Sequence, residues 1–217
     1  CYLINIGQVY IRYGDSPAAR LSSRPALYYR EQDLYLTDGA RRVLIEGNYL
    51  SARRDVDEGV ALADLADELL ADDLPALALQ DGTLVRWTLA GAERFVQDFF
   101  IERYLAYLER MRLRGIPVAS YISRPRSPEV VGTIRLMLCP DVDVPAGRGA
   151  KCADCSDVRA GREPSCAPCQ GLVDADVLSS RLAEGQRGPL FVSLSRINVE
   201  RYGEHLVHFF HMRVGRE

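Results

Sequence analysis

A chain of 217 residues with 30 acidic and 27 basic side chains carries a formal charge of −3, and 47% of its residues are apolar. A length of that order buries about 70% of the unfolded surface, enough for one sizeable core and an inserted subdomain. The near-even charge excludes a histone-like polycation, although a local arginine patch suffices to hold phosphate, and no run of about 18 apolar residues is present to form a membrane span.

Cys1 in place of an initiator methionine reads as a start partway into a longer polypeptide. A lipidated cysteine is the alternative, but a polar tether would then be expected, and Tyr2-Leu3-Ile4-Asn5-Ile6 reads as strand at once. Residues 2–13 are rich in β-formers and predict a long strand, bent at Gly7. Gly14 to Pro25 reads as a turn-rich connection and Ala26 to Tyr29 as a second strand. A helical period runs from Arg53 to Ala71, with Leu62, Leu65 and Leu69 on one face. Leu77 to Leu79 is a short apolar strand ending at Asp81-Gly82-Thr83, followed by the apolar stretch Leu84 to Leu89. A second amphipathic helix covers Ala92 to Arg114, with Phe95, Phe99, Tyr104 and Leu108 among its apolar positions. Ile116 to Ile122 predicts a strand, Pro128 to Leu138 a helix and Asp174 to Leu182 a shorter one. Phe191 to Leu194 and Leu206 to Val214 read as closing strands. Helices alternating with short apolar strands point to an α/β sheet.

Between these elements lies the sharpest local pattern. Cys152-Ala-Asp-Cys155 and Cys166-Ala-Pro-Cys169 are two C-x2-C pairs ten residues apart, a spacing that can direct four thiolates at one tetrahedral zinc. Pro145, Gly147, Gly149, Gly161 and Pro164 surround them, so order there is expected to come from the metal, with disulfides as the alternative. With no open position and no adjacent catalytic group, zinc at this site has a structural role. Residues 139–170 are thus expected to be an inserted zinc-binding loop. A cysteine set used for metal goes with a reducing, cytoplasmic compartment.

Asp81 stands at the end of a buried strand and before a glycine, where a carboxylate projects at the sheet edge toward ligands and metals; a plain turn is the competing reading. Glu58 falls one turn before Leu62 on the apolar line of its helix. A carboxylate facing inward there is costly unless paired or coordinating a metal, although the helix N-terminal dipole offers an alternative support. Arg124 and Arg126 lie in a turn before a helix that Ser127 can cap, a candidate phosphate cradle or a solvated loop. His205, His208 and His211 tempt a metal reading. On a strand, however, His208 faces away from the other two, and His205 and His211 stand about 20 Å apart. They read as sheet residues.

Several stretches resemble the NurA nucleases of DNA end processing: Tyr2-Leu-Ile-Asn-Ile-Gly7, Leu79-Gln-Asp-Gly-Thr-Leu84 with Trp87, Gly115 to Ser127, and Ser195 to Phe210. The resemblance spans nearly the whole chain. It implies an RNase H-like mixed sheet flanked by helices, manganese-dependent nuclease activity on DNA (5′–3′ exonuclease, single-strand endonuclease, or both), a ring-like homodimer and partnership with a HerA-type hexameric translocase. Asp81 matches the acid of the family's second Asp-Gly-Ser motif, with Thr83 in place of serine, and Glu58 matches its helical glutamate. The family's first Asp-Gly-Ser acid would lie just before Tyr2 and its C-terminal histidine beyond Glu217, so residues 1–217 read as a nuclease domain truncated at both ends. On this reading Asp81 and Glu58 are catalytic manganese ligands, Arg124 and Arg126 bind nucleic acid, and Cys152, Cys155, Cys166 and Cys169 hold zinc. A non-catalytic DNA-end or protein-binding module, with the zinc loop as its contact surface, is the alternative.

Overall fold

The structure is a computed structural model that describes residues 1–69, 75–143 and 152–215. In chain order its elements are β1 (Tyr2–Arg12), β2 (Ala18–Tyr28), α1 (Glu31–Leu34), β3 (Tyr35–Asp38), β4 (Arg41–Leu44), α2 (Gly47–Leu69), β5 (Ala78–Asp81), α3 (Arg94–Leu113), β6 (Val118–Tyr121), α4 (Glu129–Leu138), α5 (Ser156–Arg159), α6 (Asp174–Leu178), β7 (Phe191–Val192), α7 (Arg196–Arg201) and β8 (His208–Phe209). The fold is mixed α/β, as expected. Its described strands pair as four two-stranded ladders, of which only β5–β6 is parallel. Among the described residues no helix is long and apolar enough to cross a membrane.

Two compact units emerge, one from Cys1–Ile122 with Ser195–Val207, the other from Ser123–Leu194 with His208–Glu217. In the first unit, α2 packs on α3 and on the β1–β2 hairpin. Ala52, Val56, Ala63 and Ala66 of α2 meet Phe100, Tyr104, Tyr107 and Met111 of α3 in one buried cluster. The alanines leave room for large aromatic rings. At Gly59 the fit is closest, since a Cβ there would lie 2.3 Å from Cε1 of Tyr107. Gly59→Ala is therefore expected to destabilise the protein by about 2 kcal/mol, because overpacking outweighs alanine's better helix propensity. A melting temperature equal to or above wild type would contradict this.

The structure corrects several expected boundaries. Residues 18–25 are strand, paired in unbroken register from Tyr2↔Tyr28 to Arg12↔Ala18. The polar run Arg20 to Arg24 has weak β propensity, but pairing with β1 overrides it. Pro25 is tolerated because β2 is laddered on one side only. Helix α2 begins at Gly47, well before Arg53, and the expected end at Ala71 lies outside the described residues. The Leu84 to Leu89 stretch becomes a loop with a 3-10 turn at Trp87–Leu89.

The closing strands shrink to β7 and β8. One cause lies at Val207, whose N–H donates to Asn198 Oδ1 (3.0 Å) and whose carbonyl accepts from Asn198 Nδ2 (3.3 Å). Both backbone groups are thereby withdrawn from any ladder. Of the three histidines only His208 is a sheet residue. His205 ends a 3-10 turn with Nε2 3.3 Å from Glu109, and His211 sits with Nε2 3.9 Å from Asp174.

In the second unit, buried Asp174 accepts from the Val131 N–H (2.9 Å), closing the start of α4. Ser127 adds only a longer bond from the Glu129 N–H, 3.3 Å. The spacer between the cysteine pairs is knotted by Asp157, which accepts from the N–H and hydroxyl of Ser165 and from Arg162. Those donors hold its carboxyl below the usual aspartate range, with the Ser165 amide foremost.

Candidate active site

Strand β5 alternates as a half-buried strand should, with Ala78 and Gln80 inside and Leu79 and Asp81 outside. Gln80 fixes its position. The side chain donates from Nε2 to the backbone carbonyl of Asp55 on α2 (2.9 Å). Its Oε1 accepts from the hydroxyls of Tyr104 (2.9 Å) and Tyr107 (2.5 Å) on α3. One buried amide thus ties the strand to both helices, one residue before Asp81. Asp81 Oδ1 then accepts from the Gly82 N–H at 2.9 Å, and Gly82 turns the chain with φ +75°, a conformation other residues adopt only with strain. The loop that follows is clamped by Tyr202, whose hydroxyl accepts from the Arg86 N–H and donates to the Leu84 carbonyl, both at 2.9 Å.

Helix α2 brings Asp55 and Glu58, one turn apart on the same face, to the end of β5. Burial pushes the Glu58 carboxyl above its ordinary range, and the neighbouring charges of Asp55 and Asp81 add to this against the pull of Arg54 and Arg86. The sequence expectation that Glu58 and Asp81 act at one place therefore has a physical counterpart. Two cations balance the acids. Arg54 reaches Asp55 at 3.1 Å and Glu58 at 3.5 Å from a more exposed position. Arg86, only 3% exposed, ion-pairs with Asp55 through Nη1, and its guanidinium carbon stands 4.6 Å from the centre of the Tyr104 ring. Its Nε and Nη2 have no hydrogen-bond partner among the described residues.

Three acids within electrostatic reach, with a carboxyl held back from ionising, are what a cation relieves, because protons and metal compete for the same oxygens. A full shell is not assembled: among the described residues no three His, Cys, Asp or Glu side chains gather closely enough to hold a metal ion. The same holds for the cysteines. Cys152, Cys155, Cys166 and Cys169 are free thiols set in or beside two 3-10 turns, Cys152–Asp154 and Ala167–Cys169. Pro145, Gly147, Gly149 and Lys151 lie outside the described residues.

Arg124 and Arg126 are exposed and belong to the second unit, whereas Asp81 and Glu58 belong to the first. The N-terminus of α4, read as half of a phosphate cradle, already carries the Asp174 carboxylate on its Val131 amide. Only the two arginines remain of that reading. Sequence reasoning missed Asp55, Gln80 and Arg86. Asp55 was within reach, being three positions before Glu58 on a helical face. Nothing local marks Gln80 as a three-way anchor or Arg86 as buried, since both depend on partners from distant segments.

Comparison with curated proteins and with solved structures finds no match. A family model does match: the NurA domain, over residues 1–217. The four stretches that carry the resemblance all fall inside that match, and the chain belongs to the NurA family, nucleases of DNA end processing.

Proposed function

We propose that the protein is a metal-dependent DNA nuclease that hydrolyses phosphodiesters at the Asp81 end of β5, on an RNase H-like frame. The observation that carries this reading is the electrostatic coupling of Asp81 with Glu58, a half-buried acid from another element. Asp81 and Glu58 are the residues to hold the divalent ion, manganese by family. Bound there, it would activate a water and stabilise charge on the leaving oxygen. Asp55 is held by Arg54 and Arg86 and sets the local charge. Arg124 and Arg126 neutralise phosphate on the incoming strand. The wider reading keeps a homodimer, a HerA-type hexameric translocase as partner, 5′–3′ exonuclease or single-strand endonuclease action, and a cytoplasmic setting. Linear DNA incubated with the intact protein and manganese should lose nucleotides, and EDTA should stop the loss. Binding without cleavage under the same conditions would put the non-catalytic DNA-end module in its place.

Zinc belongs to the same proposal as a structural ion on Cys152, Cys155, Cys166 and Cys169. The C-x2-C spacing, the reduced thiols and the Asp157-knotted spacer support it, and binding would be coupled to local folding. Purified protein should carry about one zinc per chain. Cys152→Ser should release it and speed trypsin cleavage at Arg159 and Arg162, while the first unit stays folded, since the main buried cluster contains no residue of 123–194. Metal-free protein without thiol reactivity at these positions would rule the ion out.

A further inference from the structure

In the parallel β5–β6 ladder Asp81 is the register partner of Tyr121, and Leu79 the partner of Ala119. Register partners on adjacent strands direct their side chains to the same side, about 4.8 Å apart. Ala78 and Gln80 occupy the buried side, so Asp81 and Tyr121 share the outward one. There Tyr121 leaves 62% of its surface exposed although it is a large aromatic on a strand. A ring so exposed is lost apolar burial unless something covers it.

We infer that Tyr121 is a stacking platform for a base of the DNA strand whose phosphate is cut at Asp81. The inference rests on the nuclease reading and adds a substrate-positioning residue to it. The neighbouring charge selects the occupant. A protein partner pressed onto this face would desolvate the exposed Asp81 carboxylate, at a cost that apolar contact with one ring does not offset. A DNA strand needs that carboxylate close to its phosphate, and its next base lies one sugar away, within reach of the adjacent strand. Stacking on an aromatic face is tolerant of sequence, which suits an enzyme that degrades any end. Tyr121 thereby fixes the strand beside the acid without entering the chemistry.

The test is binding of fluorescent oligothymidylate to the intact protein, with calcium in place of manganese, read by anisotropy. Tyr121→Ala should weaken binding about tenfold, whereas Tyr121→Phe and Tyr121→Trp should bind within about twofold of wild type. The salt dependence should keep its slope, because no phosphate contact is lost. An oligomer of abasic sugar-phosphate should bind wild type and Tyr121→Ala equally. Three results would overturn the inference alone: Tyr121→Ala binding like wild type, Tyr121→Phe failing as Tyr121→Ala does, or a change of oligomeric state in Tyr121→Ala with DNA affinity unchanged. A wild-type protein that binds no oligothymidylate would overturn the nuclease reading together with it.

Discussion

Asp81→Asn is expected to lower manganese-dependent DNA hydrolysis about a thousandfold, equivalent to about 4 kcal/mol of transition-state stabilisation, without changing the melting temperature. Asparagine keeps the oxygen that accepts from the Gly82 N–H, so the turn at the end of β5 survives. The side chain is exposed, so no buried contact is lost. What disappears is the negative charge that draws the cation and forms one of its ligands. The comparison should be run on the intact protein with DNA binding measured in parallel, since a binding defect alone leaves the rate at saturating DNA unchanged. Asp81→Asn protein that cuts at the wild-type rate would reduce Asp81 to a turn residue.

The largest stability effect is expected from Gln80→Leu. Leucine matches the apolar volume of the site but removes three hydrogen bonds at once, leaving the Asp55 carbonyl and the hydroxyls of Tyr104 and Tyr107 without their partner. Burial pushes both tyrosine hydroxyls well above their ordinary range, so they remain protonated donors in need of an acceptor. They stand 3.4 Å from each other and satisfy one another only in part. An unmet buried group costs about 1–3 kcal/mol, so a loss of roughly 3 kcal/mol is expected in urea unfolding. Activity should fall as well, because Gln80 precedes Asp81 and fixes β5 against α2. Gln80→Glu tests the account differently, as it keeps the acceptor for both tyrosines and gives up the donor to Asp55. It should fall between wild type and Gln80→Leu. A Gln80→Leu protein as stable as wild type would show that the three bonds carry no net weight.

The legibility of this chain in its sequence divides along physical lines. Period and composition located α2, α3, β5 and β6 because their patterns are local: alternation in Ala78 to Asp81, helical spacing in α2 and α3. Residues 18–25 were read as turn because Ser22, Ser23 and Pro25 look like turn formers in isolation. Their strand state is imposed by β1, a partner that no window includes. Leu206 to Val214 failed in the opposite direction. Its apolar residues resemble a strand, but Asn198 takes the backbone of Val207. At the site, Asp81 and Glu58 were legible as acids in positions where a carboxylate needs a reason. Arg86 was not, because its burial arises from Asp55 and Tyr104, and its backbone clamp comes from Tyr202, 116 positions away.

The claim that a divalent ion works between β5 and α2 is tested most directly by crystals of the protein soaked in manganese and measured at the manganese absorption edge. The account predicts an anomalous peak in contact with the carboxylates of Asp81 and Glu58, lost in crystals of Asp81→Asn. A well-occupied manganese peak elsewhere, with none beside Asp81, would contradict it.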